Sequence, residues 1–300
     1  MDLFAHVTTT YQAFREANVS HTDSICLLRE HAAKLCLTDT IRCKLVPTPE
    51  SNLVKCGRIY SHFTNGGYMR FPIECLKDGD FTPEGICGGG EKYTPSIADG
   101  PTNFGSFIEN NYEMFKSDDK TWGLCTQVHL YQDVATDKVF QRMTANFGEV
   151  ESGSVLIHGR FEATNKKVTY KLSGKETDGA TFRNNIANAN TLFHNFLVKQ
   201  LATKHNVSKE EIEEVIQATH DSFDRYYDSQ MAETSKGYLK PNPLWFTDET
   251  DPELERITAE LIETGFCTTK EQLTEFWTLL SSEATFACDV LLNEIVFSQS

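Results

Sequence analysis

Imidazole and carboxylate groups are the side chains of this 300-residue chain best suited to chemistry, and their order singles out one set. His220 is followed directly by Asp221, His194 lies upstream and Asp289 downstream. All four fall in stretches with helical periodicity. Imidazole nitrogens and carboxylate oxygens together can hold a divalent ion, which polarises a phosphoryl oxygen and activates water. The helical wheel divides the set. One helix carries an apolar stripe of Ile212, Val215, Ile216, Phe223, Tyr226 and Tyr227, with His220 at its edge and Asp221 opposite. On the last helix, Leu273, Trp277, Leu280, Ala284 and Leu291 form the stripe, and Asp289 points away from it.

A second candidate is a basic, aromatic surface. If Trp122, Leu124, Val128 and Leu130 mark the buried side of a strand, His129 and Tyr131 fall on the other side. Continuing the same alternation puts Phe140, Arg142, Arg160 and Lys171 on that outer face. Cations there could follow phosphates while rings stack on bases, as single-strand nucleic-acid platforms do. The whole chain, at a net charge of −15, is far from the basic balance of a dedicated nucleic-acid binder. The run Gly88-Gly89-Gly90-Glu91-Lys92 could form a backbone nest for an anion, but it lacks phosphate-loop or dinucleotide spacing.

The order His194, His220-Asp221, Asp289 is similar to the pattern of HD-domain metal phosphohydrolases. That resemblance implies a divalent-metal cofactor and hydrolysis of phosphate esters. His6-Val-Thr8 and His62-Phe-Thr64 resemble the paired H-x-[ST] of 2H phosphoesterases, although the first copy lies in a helical stripe. Glu149-Val-Glu151 resembles the E-x-E of ADP-ribosyltransferases, but it sits in a turn.

The elements that must position these groups read as an α+β chain. Leu3, Phe4, Val7, Tyr11 and Phe14 have the spacing of a first helix, and a second runs from about 21 to 37. Residues 121–173 alternate apolar and polar side chains in four runs separated by turns, which predicts an antiparallel β-meander. Asp133 falls in the first of those turns. From 184 onward the chain reads as helical. Ser208 with Glu211, and Thr268 with Glu271, have the spacing of capping boxes. A soft boundary near 180 divides a mixed part, 1–180, from an all-helical part, 181–300.

Charge follows the same division. Residues 208–300 carry 20 Asp and Glu against 6 Lys and Arg, whereas residues 1–207 carry 23 against 22. An acidic surface repels phosphate backbones and attracts cations or basic proteins. Nine cysteines without a C-x-x-C pair suit reduced thiols, and the opening residues lack the basic and apolar regions of a signal peptide. A cytoplasmic location with no membrane span is expected. The leading expectation is a non-enzymatic interaction or assembly protein without a cofactor. It would use Tyr131, Phe140, Arg142, Arg160 and Lys171 on a sheet, and Glu210, Glu214, Asp221 and Asp224 on a helix, to meet a protein partner or another copy. The alternatives are an HD-type metal phosphohydrolase and a single-strand nucleic-acid binder.

Overall fold

The computed structural model describes residues 2–40, most positions between 121 and 136, residues 170–172 and 175–177, and 179–297 apart from 228. Two helices open it: α1, Leu3–Glu16, and α2, His21–Thr40. After the 121–136 segment comes a short hairpin of β1, Tyr170–Leu172, and β2, Lys175–Thr177. Then follow α3, Gly179–His205, α4, Lys209–Tyr226, and α5, Ser229–Tyr238. A 3₁₀ turn at Pro243–Phe246 leads to α6, Pro252–Glu263, and α7, Lys270–Phe286. A short turn at Asp289–Leu291 and a π-helical stretch at Leu292–Phe297 end it.

The α+β expectation is therefore corrected: the described residues are overwhelmingly helical and contain no β-meander. The first expected strand is helical at every described position between 121 and 136. The reason is an ambiguity of period. Leu124 and Val128 are four residues apart, an even step along a strand and also one turn of a helix. The buried positions Cys125, Val128, His129, Gln132, Asp133 and Thr136 follow the 3–4 spacing of a helix. The runs around Val139–Phe147 and Val155–Phe161 lie outside the described residues. In place of a fourth meander strand, the backbone of β1 pairs antiparallel with β2, Lys171 opposite Glu176.

Helix α1 is the centre of the fold. Every residue from Leu3 to Phe14 is buried, the polar ones included. A helix buried on all sides must find partners for each polar group, because an unpaired one costs about 1–3 kcal/mol. Helix α1 packs against α2, α3, α4 and α7, and α2 lies along α4. Both apolar clusters draw on residues from each side of position 180. One joins Tyr11 and Phe14 to Leu28, Ile212 and Phe223; the other joins Ala5 and Ala135 to Phe193, Leu261 and Trp277.

Local signals fix the helix ends. Asp2 accepts a hydrogen bond from the Ala5 amide, and Ser208 and Glu211 form the expected capping box. The cap of α7 lies one residue later than expected: Thr269 accepts from the Gln272 amide. The tripeptide Asn-Val-Ser, at 18–20 and again at 206–208, is one connector used twice. Asn18 and Asn206 adopt left-handed φ of 60° and 53° just past a helix end. Val19 and Val207 pack on the core, and Ser20 and Ser208 accept from the amides of Asp23 and Glu211 in the next helix.

The left-handed position ranks residues by type. Asn206→Gly should leave stability within a few tenths of a kcal/mol, whereas Asn206→Val should cost about 1–2 kcal/mol. Urea unfolding of the two variants checks this, and equal midpoints would contradict the connector geometry.

Candidate metal centre

The expected metal set is not the one the fold assembles. His194 is buried on α3, with Nε2 2.8 Å from Asp2 Oδ1, so it secures the start of α1. His220 is half-buried on α4, and burial lowers its pKa. Asp221 faces α2, accepting from Arg29 at 3.0 Å and from Gln217 at 2.8 Å. Asp289 is exposed and lines an open cavity of about 600 Å³ shared with Glu16 and Lys204. Among the described residues, the group of His, Cys, Asp or Glu whose ligand atoms all lie within 4.8 Å of one another is His6, His129 and Asp133.

The proposed interaction surface is likewise divided. Phe140, Arg142 and Arg160 lie outside the described residues, and only the backbone of Lys171 is described. Tyr131 is half-buried on a helix, not on the outer face of a strand. Glu214 bonds His21 at 2.9 Å and Asp224 pairs with Lys236, so with Asp221 these acids engage basic groups of their own chain. Glu210 stands exposed in the first turn of α4, its pKa lowered by its own backbone amide and by Ser208.

His6 comes from the buried middle of α1. His129 and Asp133 are four residues apart on the 121–136 segment, so both side chains leave one helix face. The two imidazoles stack with centroids 3.8 Å apart and planes inclined by 20°. His6 Nε2 lies 3.4 Å from Asp133 Oδ1, and His129 Nε2 lies 3.3 Å from Asp133 Oδ2. Asp39, near the end of α2, approaches His6 Nε2 at 3.7 Å. His6 and His129 are fully buried, and Asp133 nearly so.

These separations carry information. A direct ion-pair hydrogen bond from imidazolium to carboxylate contracts to about 2.7–2.9 Å. Ligand atoms around a tetrahedral ion with bonds of about 2.0–2.2 Å instead sit about 3.3–3.6 Å apart. The two contacts to Asp133, each to a different carboxylate oxygen, are longer than the first range. His6 Nε2 is wholly buried and makes no well-formed hydrogen bond, its nearest acceptor being Asp133 Oδ1 at 3.4 Å.

Electrostatics favour the same state. Burial, aided by neighbouring His6, pushes the His129 pKa down to about 4, so the ring is neutral at pH 7. Burial acts against ionisation of Asp133, but nearby positive charge and the imidazoles of His129 and His6 outweigh it and hold the carboxyl well below its usual range. A neutral His129 beside an ionised Asp133 is the protonation state that metal ligation requires of those two groups. The donor set, two nitrogens and a carboxylate, suits a borderline first-row ion more than calcium or magnesium.

No protein-family model, curated protein or solved structure matches this chain.

The surrounding thiols are insulated. Cys288 lies beside the centre, and burial raises its pKa to about 12. Cys36 is raised well above the ordinary value, first by burial and then by Asp39. Brief treatment with iodoacetamide at pH 8, read by peptide mass spectrometry, should label exposed Cys26 and spare Cys36, Cys125, Cys267 and Cys288 until the chain unfolds. Labelling of Cys288 as fast as Cys26 in the folded chain would contradict the burial of this centre.

Proposed function

We propose that this chain is a helical metalloprotein whose centre, His6, His129 and Asp133, serves metal-dependent hydrolysis. A single observation carries the reading: a wholly buried Nε2 of His6 that makes no well-formed hydrogen bond, facing the carboxylates of Asp133 and Asp39. A lone pair turned toward anionic oxygens is unfavourable unless a cation lies between them.

The donor count supports the choice of reaction class. Three protein ligands with coordination positions left open are the composition of catalytic sites, whereas structural sites are closed by four. A divalent ion in such a set acidifies water and polarises a substrate oxygen. The protein's part is to present two imidazoles and one carboxylate from two helices, in a buried site. Phosphate esters are the proposed substrates, because a divalent ion polarises a phosphoryl oxygen.

Purified chain loaded with zinc, cobalt, manganese or iron(II) and then desalted should retain about one ion per chain. His129→Ala should abolish retention while the far-UV circular dichroism stays helical. Nitrophenyl phosphate monoesters and diesters then test the reaction: Asp133→Asn should remove any metal-stimulated hydrolysis. Failure of the wild-type chain to retain any of the four ions would sink the reading.

A second reading keeps one specific observation. Tyr238 and Phe286 are exposed at 62% and 72% on the acidic part, where large rings add contact area to a charged face. Such a face would suit a basic protein partner. Light scattering and pull-downs at low and high salt should then show salt-sensitive association. A monomer at every salt concentration, with nothing retained, would dismiss it.

A further inference from the structure

We infer that Gln132 is a positioning residue that selects the metal-binding tautomer of His6, an inference that rests on the metal reading above. The argument is a count of protons. Thr9 Oγ1 donates to the Ala5 carbonyl at 2.7 Å, and Thr10 Oγ1 donates to the His6 carbonyl at 2.8 Å. Each hydroxyl has one proton, and each is committed to the backbone, so both oxygens present only lone pairs to Gln132.

The Gln132 amide nitrogen meets those two lone pairs, donating to Thr9 Oγ1 at 3.0 Å and Thr10 Oγ1 at 3.1 Å. That fixes which end of the amide is which. Its oxygen therefore faces His6 Nδ1, 2.7 Å away. An amide oxygen accepts and cannot donate, so Nδ1 carries the proton and donates it. In neutral imidazole the other nitrogen is then unprotonated, and that nitrogen is Nε2, the atom facing Asp133 and Asp39.

A flipped amide would set its oxygen against two hydroxyls whose protons are elsewhere and its NH₂ against the ring nitrogen. The chain thus spends two threonines on α1 and one glutamine on the 121–136 segment to hold a single lone pair in place. Outer-shell acceptors of this kind orient metal-binding imidazoles, and losing one weakens metal affinity by about 10–100-fold.

The test compares Gln132→Met, which removes both amide functions at similar volume, with Gln132→Glu, which keeps an acceptor for Nδ1–H. Zinc affinity is measured by competition with a chromophoric chelator, and coordination by the visible d–d bands of the cobalt-loaded chain. Gln132→Met should bind zinc at least about 10-fold more weakly and alter the cobalt bands, and Gln132→Glu, which keeps the acceptor for Nδ1–H but sets an oxygen against the Thr9 and Thr10 lone pairs, should recover only part of the affinity. Thr9→Val with Thr10→Val gives the same measurement without touching residue 132, should Gln132→Met fail to fold. Unchanged affinity and unchanged cobalt bands in either variant, with a wild-type chain that binds metal, would overturn the inference alone. A wild-type chain that binds no zinc or cobalt would instead overturn the metal reading beneath it.

Discussion

A helix buried on every side constrains this fold more than any other feature. Helix α1 carries His6, Thr8, Thr9, Thr10 and Gln12 into the interior, where water cannot serve them. Its neighbours supply partners for several of them, although not for the Thr8 hydroxyl. Gln132 meets His6, Thr9 and Thr10; Ser281 of α7 bonds Gln12 at 3.2 Å and Gln200 of α3 at 2.6 Å; His194 holds Asp2 at the helix start. Apolar packing gives the bundle its cohesion, while these polar contacts fix which helix lies beside which residue of α1.

The acidic surplus of the last third takes on a different role in this arrangement. Glu214 and Asp221 of α4 bond His21 and Arg29 of α2, while Arg225 pairs with Glu30 in the reverse sense. Exposed pairs of this kind add little stability each. Together they match α2 to α4 along their length, over the buried contact in which the Ala33 amide donates to Ser222 Oγ at 3.0 Å. Part of the charge that looks like a face for partners is thus used to register two helices of one chain.

Several helices and helix starts were legible in the sequence, because they depend on local chemistry, whereas the break between α4 and α5 was not. The stripe from Leu3 to Phe14 and the Ser208–Glu211 box are examples. The role of the two Asn-Val-Ser tripeptides as connectors emerged only from the left-handed φ of Asn18 and Asn206. The 121–136 segment was misread because Leu124 and Val128 satisfy two periods. That error concealed the centre: on a strand His129 faces outward and Asp133 ends the run, whereas on a helix they share one face four residues apart. His6 was visible only as part of a common tripeptide. Nothing local says that a histidine in an apolar stripe will meet residues more than a hundred positions later, so pairing across that distance had to come from tertiary structure.

That distance has its own consequence. The His6–Gln132 hydrogen bond joins positions 126 residues apart. Contacts between remote positions require closure of a long loop, and chains dominated by them fold slowly. The His6–Gln132 bond can form only once α1 and the 121–136 segment have met. An ion held by His6 and Asp133, as proposed, would fasten the same two points, acting as a cross-link whose largest effect is on the unfolded chain. Because closure entropy rises only with the logarithm of loop length, the entropic part of such a clasp would depend little on the number of residues between its ends.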